Sequence, residues 1–369
     1  MDVIRYKSDK LSSGVLFYIG AIITVLFVGT YFTIFSFSDY SAVHFGQNQK
    51  SLYVNNSDVA DIASSYPKSN YILLISGTDV VSQLSDVLLL VNLDIENSSM
   101  HILQIPRDTY FEYTTHTYKK INAASKVLGG LSDLVTLLED ALKVEIDYTF
   151  EISLDALSQF VDLIDGVEIS IPYDMDYEDA SQNLYIHLKS GSNILNGDAA
   201  AQFVRFRSGY IQGDVARLNA QKIFMAALVD KCLNRVSKFK VPALVGALIG
   251  KVDTDMPLNM CIELARMAMD IEISHITMIT LAGADSRTGI DHGAWYYIIN
   301  RATAIETINA YFRNAESQIS DNDFDPNKLF SANQYEHFAQ IYESLNYSIV
   351  EYRADDIIKN GIDIDLIDD

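Results

Sequence analysis

The chain has 369 residues, of which 49% are hydrophobic, and its 49 acidic against 27 basic side chains give a formal net charge of −22. Nucleic-acid binding rests on Lys and Arg neutralising phosphates, so a polyanion of this kind is a poor candidate for it; the acid surplus favours solubility instead. Cys232 and Cys261 are too few for a disulfide scaffold and read as plain core residues of apolar segments.

Residues 1–14 form a short tail with Arg5, Lys7 and Lys10 against Asp2 and Asp9. Residues 15–37, "VLFYIGAIITVLFVGTYFTIFSF", contain no charge, and roughly 20 apolar residues suffice to cross a ~30 Å hydrocarbon layer. A retained transmembrane helix is predicted. A cleaved signal peptide needs a shorter apolar region and a small-residue cleavage site, which Ser36, Ser38 and Ala42 supply poorly. Basic residues precede the span and none follows it before Lys50, which predicts a cytoplasmic amino terminus and an extracellular remainder. Residues 38–67 are polar and suit a stalk.

From residue 68 the pattern is that of a folded domain. "YILLIS" (71–76), "DVLLLVNLD" (86–94) and "HILQI" (101–105) are the apolar runs of strands buried on both faces. Residues 122–143 carry leucines at helical spacing, with Ser132 and Asp133 as caps of the second part. "YTFEIS" reads as strand, "LDALSQFVDLID" as helix and "GVEISIP" as strand; residues 196–202 and 215–234 are further helices, the latter strongly amphipathic. Alternation of this kind predicts an α/β class domain, layered around a sheet. No break in composition occurs before residue 314, and the acidic stretch 314–369 reads as an appended extension.

Charged residues cluster at the predicted strand ends. In "AQFVRFRSGYIQGDVARLNAQ" the helix is expected to end near Val204, so that Arg205 and Arg207, two apart on an extended exit, point one way and Val204 and Phe206 the other. Asp214 stands where an N-cap opens the next helix, and Arg217 and Gln221 follow on its face. Salt-bridged surface arginines and a plain cap are the alternative. In "LLISGTDVVSQLSDVLLLV", Asp79 ends one buried strand and Asp86 begins the next; Mg²⁺ would relieve their repulsion and also bind phosphate oxygens. Turn aspartates with local hydrogen bonds are the other option. In "QIPRDTY", Arg107 follows the third buried strand and is expected to join the other guanidiniums, whose forks match phosphate oxygens.

The segments "LLISGTD", "LSDVLLLVNLD", "QIPRDTY", "KINAA", "VEISIPYDMDY", "LNGDAAAQFVRFR" and "GDVARLNAQKIFMAAL", in that order behind one membrane span, resemble the LytR-CpsA-Psr family over about residues 68–313. The resemblance implies a three-layer α/β/α sandwich with a mixed central sheet. It also implies an Mg²⁺-dependent transferase that moves a glycopolymer, such as teichoic acid or capsule, from an undecaprenyl pyrophosphate carrier to peptidoglycan. By motif position, Arg107, Arg205, Arg207 and Arg217 fall on the family's pyrophosphate pocket and Asp79 and Asp86 on its Mg²⁺ site. Lys120, Asp214 and Gln221 match further pocket positions, and Arg107, Asp86 and Asp214 are the candidates for catalysis. Where family members commonly read R-S-D, this chain has Leu84-Ser85-Asp86. Leucine cannot bind phosphate, so a non-catalytic module that binds polyprenyl phosphate or scaffolds wall assembly is the competing expectation.

Overall fold

The structure, a computed structural model, describes residues 68–78, 84–111, 119–180, 184–206, 214–235, 252–257, 271–285, 296–324 and 350–362, with Met260, Leu264, Met267 and Ala268. The expected transmembrane segment and stalk, Asp79, Arg207 and the side chains of Asp214, Cys232 and Cys261 lie outside these residues. No helix among the described residues is long and apolar enough to cross a membrane.

Three strands open the domain: β1 (Asn70–Thr78), β2 (Ser85–Asp94) and β3 (Ser99–Ile105). The short α1 (Ala124–Leu128) and α2 (Leu131–Leu142) follow, then β4 (Tyr148–Ser153) and α3 (Leu154–Leu163). Two hairpin-like ribbons come next, built from β5 (Val167–Ile171), β6 (Met175–Asp179), β7 (Leu184–Leu188) and β8 (Gly191–Leu195). Then come α4 (Gly197–Arg205), α5 (Asp214–Arg235), β9 (Val252–Thr254), β10 (Ile276–Thr280), β11 (Gly283–Asp285), β12 (Tyr297–Ile299) and α6 (Arg301–Tyr311). The last elements are β13 (Val350–Arg353) and α7 (Ala354–Asn360).

Seven strands form the central sheet in the order β13-β10-β3-β2-β1-β4-β9. The sheet is mixed: β1, β3, β4 and β10 run one way and β2, β9 and β13 the other. Successive residues of a strand face opposite sides, so the continuous apolar runs feed two cores. Tyr71, Leu73, Leu89, Val91 and Ile102 join the helices α3, α4, α5 and α7 on one face. Ile72, Leu74, Leu88, Leu90 and Leu103 meet α2 and α6 on the other.

Local chemistry explains the breaks. Residues 122–143 are not one helix, because Gly129 adopts φ +122° between α1 and α2, a region that L side chains avoid. The cap of α2 is Gly130 rather than Ser132 or Asp133, which lie in the first turn; Asp133 there complements the helix dipole. Ser153, Asn196 and Asn300 cap α3, α4 and α6, each accepting a hydrogen bond from the backbone N–H three residues on. The helix α5, expected to be amphipathic, is buried almost all round, since it lies between the sheet, β5 and α7.

The carboxy-terminal boundary needs correction. Residues 350–353 pair antiparallel with β10, and Ala354, Ile357, Ile358 and Ile362 enter the core. Ile319 and Phe324 are buried in the opposite core, and the Arg313 guanidinium bonds the carbonyl of Lys143 at the end of α2. The described residues 314–324 and 350–362 thus pack onto the domain: β10 would otherwise present a bare edge, and a four-residue partner covers it.

Candidate active site

The carboxyl ends of β1, β3 and β4 and the beginning of β2 meet at one edge of the sheet, where Thr78 is in register with Ser85 on one side and Ser153 on the other. A register shift at Gly77/Thr78 bends β1 there, and a Cβ on Gly77 would lie 3.0 Å from Val87 Cβ. Asp86 and Arg107, 21 residues apart in sequence, are brought together at this edge.

Arg107 follows Pro106, which ends β3, and donates from Nη1 to Asp86 Oδ1 at 2.6 Å. Its Nε lies 3.9 Å from Asp108 Oδ2, while Asp108 Oδ1 accepts from Lys120 Nζ at 2.7 Å. The backbone fixes this chain of charges: Ile121 N–H donates to the carbonyl of Thr109 at 2.8 Å and Asn122 N–H to that of Arg107 at 3.1 Å. "KINAA" is therefore strapped to "QIPRDTY", and Asp108, which had no assigned role, links two of the candidate cations.

Beneath the sheet, between it and α3 and α5, lies a cavity of about 210 Å³. Its walls are apolar, formed by side chains such as Ile75, Leu89, Ile102, Phe160, Phe224 and Leu228. Asp86, Arg205, Arg217 and Gln221 line it as well. Arg217 is 2% exposed, and a guanidinium shielded from water in this way acts on an anion through a low dielectric.

The exit of α4 differs from expectation. The helix runs through Arg205, and the extended conformation begins at Phe206, which is buried. Val204 lines the cavity together with Arg205 instead of facing away. One further helical residue rotates Arg205 onto the Val204 side.

Two contributors escaped the sequence reading. Gln104, 4% exposed, donates from Nε2 to Gln221 Oε1 at 2.8 Å, and Gln221 Nε2 donates to the carbonyl of Val204 at 3.3 Å. This relay joins β3, α5 and the end of α4. Its signal was a lone amide in the apolar run "HILQI". Lys222, also 4% exposed, lines the cavity, and burial pushes its amine down to about 7. A lysine flanked by "NAQ" and "IFMAAL" could have been flagged once α5 was known to be buried all round.

A hard cation is compatible with the donors present. Among the described residues no group of three His, Cys, Asp or Glu forms a ready metal cage, but Mg²⁺ usually keeps several waters and takes one or two carboxylates plus phosphate oxygens. The Asp86 carboxylate, about a third exposed at the sheet edge, meets that demand.

Residues 30–313 match the family model of the LytR_cpsA_psr (LytR-CpsA-Psr) family, more than half of the chain. The chain belongs to this family. Among LytR-CpsA-Psr relatives, the polyisoprenyl-teichoic acid–peptidoglycan teichoic acid transferase TagU of Bacillus anthracis (strain CDC 684 / NRRL 3495) is 27% identical over 306 residues, 80% of this chain and 95% of TagU. The corresponding TagV of Bacillus subtilis (strain 168) is 28% identical over 228 residues, 61% of this chain but only 58% of TagV. The crystal structure of B. subtilis TagV, at 26% identity, covers 66% of this chain and 95% of that one with a TM-score of 0.55. A TagT structure bound to LIIa-WTA, at 22% identity, has a TM-score of 0.53 over 70% of this chain and 91% of its own, a likeness of fold. The mixed α/β architecture is thus that of solved LytR-CpsA-Psr proteins.

Proposed function

We propose that this chain transfers a glycopolymer, such as teichoic acid or capsule, from an undecaprenyl pyrophosphate carrier to peptidoglycan by forming a phosphodiester. Residues 15–37 would anchor it in the membrane with the domain on the outer side. The observation that carries this reading is the shape and polarity of one cavity. Its body is apolar, as a polyprenyl chain requires, and Asp86, Arg205 and Arg217 line it where Arg107 joins at the sheet edge. An amphiphile with an anionic head fits such a site. The transferase names of TagU and TagV support the same reaction class.

In this reading Arg107, Arg205, Arg207 and Arg217 hold the pyrophosphate, with Lys120 and Gln221 completing the wall. Asp79 and Asp86 would hold Mg²⁺, which supplies charge neutralisation at the phosphates. The acceptor hydroxyl oxygen bonds to the phosphorus bearing the glycan, the bond from that phosphorus to the bridging oxygen breaks, and the carrier leaves as polyprenyl phosphate. The guanidiniums stabilise charge growing on the bridging and equatorial oxygens. The hydroxyl proton passes to a carboxylate, Asp86 or Asp214.

Purified full-length protein is expected to carry polyprenyl phosphates detectable by mass spectrometry, and Arg107→Ala or Arg205→Ala to reduce turnover of a lipid-linked glycan at least ~100-fold, the scale of losing one charge-stabilising donor. Unchanged turnover would sink the transferase reading. Leu84, directly before β2 where the family resemblance leads one to expect arginine, favours the non-catalytic binding module. In the same assay that module predicts lipid binding with no turnover, in wild type and in Leu84→Arg alike.

A further inference from the structure

Lys222 is the charged lining residue of the cavity that the proposed reaction does not use. On α5 it shares the cavity with Arg205, Arg217 and Gln221. Its Nζ lies 3.2 Å from Asn219 Oδ1 and 5.6 Å from the centre of the Tyr352 ring on β13. Among the described residues no carboxylate forms an ion pair with it. Among the described residues, the ionisable groups that share its surroundings are Arg217 on its own helix, Arg205 from α4, Asp86 from β2 and Tyr352 from β13, with no charged side chain among the cavity residues of β3 and β10. On the neighbouring α7, Ile357 and Ile358 are the buried side chains, while Asp355 and Asp356 lie 3.2 and 4.0 Å from Arg353.

A lysine enclosed by apolar walls, without an anion, is cheapest as the neutral amine. Burial accordingly pushes it from 10.5 to about 7. The cavity then holds two arginines and one amine able to accept charge, against one carboxylate, Asp86. Entry of a phosphate adds negative charge to the site, and in a low dielectric its field reaches groups that do not touch it.

We propose that Lys222 makes the binding of an anionic polyprenyl lipid proton-linked: as the phosphate end enters the cavity, the amine takes one proton from solvent and becomes a third cation of the site. The step is R–NH₂ + H⁺ → R–NH₃⁺; no bond to the lipid forms or breaks. The inference rests on the cavity being the lipid site and adds how occupancy responds to pH. The loaded amine has the higher pKa, so affinity is greatest below about pH 7 and declines as the pH rises through the raised value.

The test uses full-length protein in detergent and geranylgeranyl methyl phosphate, a diester that does not itself titrate near neutrality. Calorimetry in two buffers of different ionisation enthalpy, at about pH 7.5, counts protons exchanged on binding. Wild type is expected to take up a large fraction of a proton with the diester and none with neutral geranylgeraniol. Its affinity for the diester should tighten on the order of tenfold from alkaline to mildly acidic pH, the effect of a pKa raised by about one unit. Lys222→Met and the permanently charged Lys222→Arg should each bind the diester with no uptake and a flat pH profile. Binding by wild type without proton uptake, or uptake that persists in Lys222→Met, overturns the inference and leaves the lipid site standing. Failure of wild type to bind either probe overturns both.

Discussion

At the scale of single residues, the site is a set of charges whose partners are far apart in sequence. Arg107, just past β3, is held by Asp86 on β2, and Lys120 by Asp108. Lys222 has the largest energetic consequence, because its amine is pushed from 10.5 to about 7 by burial alone. The unfolded chain therefore binds more protons than the folded one between these values, and stability rises with pH across that window. Below about pH 7 both states carry the proton and the folded state bears the whole cost of a buried charge. Lys222→Met is accordingly expected to raise the thermal midpoint most below about pH 7, with the gain shrinking as the pH rises toward 10.5. A gain independent of pH would show that the amine is not desolvated.

At the scale of elements, the helices act as arms that deliver side chains to the cavity. Arg205 is the last residue of α4, whose first residue is Gly197. A Cβ at Gly197 would lie 2.0 Å from the carbonyl oxygen of Ser158 in α3, so the two helices touch backbone to backbone. Gly197→Val is expected to cost ~1–3 kcal/mol in denaturant unfolding, the range of overpacking, and to displace Arg205 enough to weaken lipid binding. Wild-type stability in this variant would contradict the close approach. Much at this scale was legible in advance. The runs of Ile, Leu and Val in β1 to β3 announce strands covered on both faces, and the helix expected over 196–202 is found as α4. The end of α4 was legible to within one residue, but the side that Val204 and Arg205 face was not, because it depends on what surrounds them.

At the scale of the molecule, the sheet is closed by a strand from the far end of the chain. β13 pairs with β10, and α7 buries Ala354, Ile357 and Ile358 against the same core that holds the cavity. A chain cut before residue 350 loses this cover and bares the β10 edge, a template for aggregation. Such a truncation is expected to lower the thermal midpoint and broaden the size-exclusion profile; a melt identical to wild type would return 350–362 to the status of an appendage. The same strand carries Tyr352, whose ring faces Lys222, so the carboxy-terminal segment also touches a residue of the cavity wall.

The order of motifs and the buried strands were determined by the sequence alone, since apolar periodicity and a shared set of segments need no knowledge of distant contacts. The tertiary structure decided which charges meet. Asp86 with Arg107, Gln104 with Gln221 and Lys222 beneath Tyr352 are pairings between residues far apart in sequence, and Asp108 with Lys120 is a nearer one. Burial decided the rest: a lysine reads as a solvated cation in any sequence, and only the walls that enclose it change its charge.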